Sequence, residues 1–97
     1  MKEKVIILIV GVLKDLNKTI QNPDLENPTP QTDLHGPKGN LDSLALINLV
    51  VKLEESIYIE FQKTVVIANE TTMDFSTSVF GTVETLADHI ERLLETG

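Results

Sequence analysis

The chain has no cysteine. Disulfides, cysteine-ligated zinc and thiol catalysis by the protein itself are excluded, and any thioester chemistry would need a thiol from a prosthetic group. Aromatic residues are few, namely Tyr58, Phe61, Phe75 and Phe80, so the core must be mostly aliphatic. Basic residues are also scarce: eight against fifteen acids leave a net charge of −7. That balance argues against nucleic acid, whose phosphates need a basic face. It suits docking onto basic protein patches, where opposite charge raises the association rate. There is no Walker-type glycine-rich loop, no Gly-x-Ser-x-Gly elbow and no His-Glu-x-x-His. With only two histidines, no nucleophilic constellation can be assembled, so the expectation is a non-enzyme. Asp24, Glu26 and Asp33 lack the spacing of a calcium loop and are read as solvated, so no metal is expected. The apolar run Val5–Val10 follows a charged start. No small-residue cleavage site follows it and Lys14-Asp15 come too soon for a signal peptide. It is also far short of the roughly twenty residues that span a bilayer. The expectation is a cytoplasmic, monomeric protein with no membrane span, and one domain over residues 1–97 with a modest core.

What is present is helical periodicity. Ile6, Ile9, Leu13, Leu16 and Ile20 keep one helix face, with Gly11 tolerated inside it. Between Asn22 and Asn40, Pro23, Pro28, Pro30 and Pro37 forbid a regular helix. Leu25 and Leu34 are expected to pin this long loop to the core, and His35 is read as a loop residue. Val83, Leu86, Ala87, Ile90, Leu93 and Leu94 mark a last helix, with Thr82 able to cap it and Glu84 favourable in its first turn. His89 falls on its polar side and is read as solvated. The stretch between is harder to read. Ile57–Phe61 alternates loosely and suggests extended chain. Val65-Val66-Ile67 suits a strand or a buried connector, and residues 62–80 remain open between helix, strand and loop.

The rest is organised around a loop, Gly36-Pro37-Lys38-Gly39, that runs into Asp42-Ser43. Leu46, Leu49, Val50, Leu53 and Ile57 then fall on one helix face, predicting a helix from about Ser43 to Ile57. Asp and Ser both suit a helix start, where a side-chain oxygen accepts an unpaired amide hydrogen. The junction puts the Ser43 hydroxyl toward solvent, where the positive end of a helix favours a phosphate. Leu44, Ile47 and Val51 form a second apolar stripe. A helix apolar on two faces is either fully buried or uses the second for a partner.

Asp42-Ser43-Leu44 opening such a helix, with Leu53-Glu54-Glu55 toward its end, resembles an acyl carrier protein. The resemblance implies an all-α fold: an acyl-carrier-like bundle of three main helices plus a short or irregular third element, with a long first loop. It implies that Ser43, flanked by Asp42 and Leu44, carries 4′-phosphopantetheine through a phosphodiester. A phosphopantetheinyl transferase would attach the arm, and acyl-transferring and acyl-modifying enzymes would use it. Leu46, Val50, Leu53 and Phe61 would line an acyl pocket in a groove between helix two, the 61–80 segment and the last helix. Leu44, Ile47, Asn48, Val51, Glu54 and Glu55 would meet partners. Phe80-Gly81-Thr82-Val83 is similar to the end of a longer middle segment in specialised carriers. Ala45 and Asn48 stand where the family often has acids, which favours partners outside ordinary fatty-acid synthesis. The alternatives are an aminoacyl or peptidyl carrier, or a helical interaction module in which Asp42-Ser43 is only a cap.

Overall fold

The computed structural model describes residues 2–35, 39–67 and 78–96. It is an all-α bundle of three main helices, α1 (Lys2–Ile20), α2 (Ser43–Phe61) and α3 (Val83–Thr96). Short 3-10 turns lie at Pro23–Leu25 and Ser78–Phe80. Among the described residues there is no sheet, only an isolated antiparallel bridge between Asp33 and Thr82.

The apolar stripes decide the packing. Val5, Ile9, Val12, Leu13 and Leu16 of α1 are buried, a face rotated slightly from the predicted one so that Ile6 and Ile20 sit at its edge. Val83, Leu86, Ala87, Ile90 and Leu94 are buried on α3, with Leu93 at the margin. Helix α1 packs against both others, while α2 and α3 make no close backbone approach among the described residues. Among the described residues the buried core is aliphatic except for Phe80, which is fully buried.

Helix α2 corrects one expectation. It does not give way to extended chain after Ile57 but continues one more turn to Phe61. Leu53, Ile57 and Phe61 keep a spacing of four residues, and neither glycine nor proline intervenes. The helix ends where Gln62 turns left-handed (φ 58°) and its N–H donates to Tyr58 O. The next stretch settles as a buried connector rather than a strand, with Val65 and Ile67 inward and Val66 outward. The segment expected to replace a third helix lies largely outside the described residues.

The first loop is stitched to the start of α3. Leu25 and Leu34 are fully buried, as anticipated. Leu34 N–H donates to Gly81 O (2.8 Å) and His35 N–H to Phe80 O (3.0 Å). In return, Val83 and Glu84, whose first-turn N–H groups have no partner within their helix, donate to Thr32 O and Pro30 O. Thr82 completes the cap: Thr85 N–H donates to its Oγ1 (3.2 Å), and its own N–H donates to Thr85 Oγ1 (3.0 Å).

Candidate functional site

Residues leading into α2 are held from both sides. Leu41 is buried, and its N–H donates to Leu34 O at 2.8 Å. Its carbonyl lies 3.0 Å from His35 Nδ1, so that nitrogen carries the proton and donates. His35 is thus a part of the site's frame that the sequence did not disclose, because its partner is a backbone carbonyl reached only after the loop folds back.

Asp42 follows in an extended conformation (ψ 178°), and its Oδ1 accepts Ala45 N–H at 2.8 Å. This is a helix cap. The capping role that Asp or Ser could have filled therefore belongs to Asp42, and Ser43 is the first helical residue. The direction of the Ser43 hydroxyl lies outside what the structure describes. Asp42 and Leu44 on either side are exposed.

The second stripe is open to solvent. Leu44 is 69%, Ile47 45% and Val51 48% exposed, too much for a buried helix face. Asn48 and Glu55 are exposed beside it, and Tyr58 prolongs the stripe. The face thus runs from the start of α2 over about 21 Å, at 1.5 Å per residue. Glu54 is only half exposed and already has a duty: its Oε2 accepts Ile67 N–H at 2.9 Å. His89 departs from expectation in the same way. It is half-buried, and its Nε2 lies 2.9 Å from Ile67 O.

Leu46, Val50 and Leu53 are buried in the core and Phe61 is half-buried against it. None of the four lines either of two surface grooves. One, of about 650 Å³, lies between α1 and α2 around Ile7, Leu8, Gly11 and Ser56. The other, of about 460 Å³, lies at the end of α2 around Glu54, Tyr58, Ile59 and Thr64. Leu46, Val50 and Leu53 are packed side chains, and the 61–80 segment expected to complete their groove lies largely outside the described residues.

Among the described residues, no group of three or more His, Asp or Glu side chains could hold a metal ion, and no helix is long and apolar enough to cross a membrane. No family model, no curated protein and no solved structure matches the chain. The fold itself is a small all-α bundle of three main helices, compatible in general with a small helical carrier-type protein. At the start of α2 the cap is supplied by Asp42, one residue before the first helical position, Ser43.

Proposed function

We propose that the protein is a carrier of acyl groups, held as thioesters on a 4′-phosphopantetheine arm joined to Ser43. The observation that carries this reading is the division of labour at the start of α2: Asp42 caps the helix, Ser43 begins it, and the exposed Leu44–Ile47–Val51 stripe starts beside it. The arm, once attached, supplies the thiol that the cysteine-free chain lacks.

The chain's own contributions are positional. Asp42 and the His35–Leu41 tether hold the helix start in place. The apolar stripe gives a transferase and acyl-handling enzymes a surface to bury, and Glu55 with the overall negative charge favours a basic partner. Leu46, Val50, Leu53 and Phe61 would be the aliphatic and aromatic neighbours of a cargo chain that enters the core.

The test is intact mass after incubation with coenzyme A and a broad-specificity phosphopantetheinyl transferase, with Ser43→Ala alongside. The wild type is expected to gain one phosphopantetheine group and the variant none. Absence of gain while a control carrier is loaded would turn the reading to a helical interaction module. Neutral residues at Ala45 and Asn48 favour cargo outside ordinary fatty-acid synthesis. Loading followed by aminoacylation rather than acylation would assign it to aminoacyl or peptidyl transfer.

A further inference from the structure

Ile67 is fully buried, yet its peptide groups belong to no helix or ladder. Its N–H is held by Glu54 of α2 (2.9 Å) and its C=O by His89 of α3 (2.9 Å). The connector is fastened a third time where Lys63 Nζ donates to Leu94 O (2.9 Å) near the end of α3. A residue is thus latched by two side chains, one from each of the helices that do not approach one another directly. Its side chain joins the same core cluster as Leu46, Val50 and Leu53.

Its placement relative to the helix start is specific. At 3.6 residues per turn, Ser43, Val50, Glu54 and Phe61 share one face of α2, and Glu54 lies about three turns, or roughly 16 Å, from Ser43. A chain tethered at Ser43 and running down this face meets Ile67. We propose that Ile67 is a removable plug, and that Glu54 and His89 are positioning residues whose latch sets how readily an acyl chain enters the core between α2 and α3. The proposal rests on the carrier reading. Release of the plug breaks side-chain-to-backbone bonds, each of modest net worth, and uncovers the Ile67 side chain, but it leaves the helices' own hydrogen bonds intact. It can therefore occur as a local opening, short of global unfolding.

Amide exchange on the unloaded protein tests the latch without the arm. Glu54→Ala and His89→Ala are expected to speed exchange of the Ile67 amide about tenfold, while the buried Leu53 amide keeps its wild-type rate. Glu54→Gln, which retains an acceptor oxygen, should recover much of the protection. Equal acceleration of Ile67 and Leu53 would overturn the local latch. The cargo role is read on protein loaded with an octanoyl-phosphopantetheine arm, by the rate of thioester cleavage with hydroxylamine. Ile67→Ala, which opens space in the core, is expected to slow cleavage several-fold relative to wild type. Cleavage in both at the rate of the urea-unfolded protein would overturn the plug while leaving the carrier reading intact. Failure to load any serine-bearing variant would overturn the carrier reading and the cargo role together.

Discussion

At the scale of single residues, Asp42 and Ser43 separate two properties that the sequence joins. Asp42→Ala removes the acceptor of Ala45 N–H and is expected to cost about 1 kcal/mol in urea unfolding, with Asp42→Asn close to wild type. Ser43→Ala removes no cap and should change stability by less than about 0.5 kcal/mol, yet abolish loading. A large loss of stability in Ser43→Ala would contradict this separation. Lys2 shows a second residue-scale effect. Its ammonium lies 2.8 Å from Asp88 and 4.0 Å from Glu84, tying α1 to α3. The hydrogen bond to Asp88 raises its pKa above the usual lysine value, with the nearby charges of Asp88, Glu84 and Glu91 adding to this and desolvation opposing it. Because the folded value is the higher one, any stability from this contact is complete below the unfolded lysine pKa. It is lost as pH rises through the folded value. Lys2→Met should therefore differ most from wild type at neutral pH and converge with it in strong alkali, as followed by thermal unfolding.

Helices and connectors differ in how far their sequences disclose them. The outer two helices were legible because a single apolar stripe repeats along each, and the cap at Thr82 could be anticipated from its hydroxyl alone. The end of α2 was not, because Ile57-Tyr58-Ile59-Glu60-Phe61 satisfies both an alternating pattern and a spacing of four; packing of the Leu53–Ile57–Phe61 side chose the helix. The candidate site divides in the same way. A helix start at Asp42-Ser43 and a second apolar stripe at Leu44, Ile47 and Val51 follow from local pattern, while the choice of Asp42 as cap and the exposure of the stripe come from the fold. The tasks of Glu54 and His89 depend on one residue, Ile67, thirteen residues from the first and twenty-two from the second. No window along the chain contains that information. The stripe yields a test at this scale. Leu44→Glu with Val51→Glu places charge on an already exposed face, so unfolding should shift by less than about 0.5 kcal/mol while the rate of phosphopantetheinylation falls. A loss of stability of several kcal/mol would mean that the stripe serves the core instead. The helix ends offer another. Gln21 follows α1 with φ 58°, a conformation that costs a side-chain-bearing residue more than glycine. Gln21→Gly is expected to stabilise the protein by about 0.5 kcal/mol, measured as an increased urea midpoint.

Over the whole molecule, α1 is the shared wall, and the first loop and the start of α3 complete one another's hydrogen bonds. Phe80 sits where these parts meet and is, among the described residues, the bulkiest of the fully buried side chains. Phe80→Ala should cost about 3–5 kcal/mol. In a domain of marginal stability, that is enough to leave much of the population unfolded, as circular dichroism would register.

The mutual capping of loop and α3 also bears on how the chain comes off the ribosome. Carbonyls of Pro30 and Thr32 wait for amides of Glu84 and Val83, and α1 waits for the helix it shares most contact with. Translation completes the first two helices long before either of these partners exists. The nascent chain therefore emerges with the part of α1 that α3 will cover still open and with the Pro30 and Thr32 carbonyls unpaired by their α3 amides, and both are secured together when α3 follows. Folding of this bundle is thus timed by the arrival of its third helix rather than by the completion of its first two.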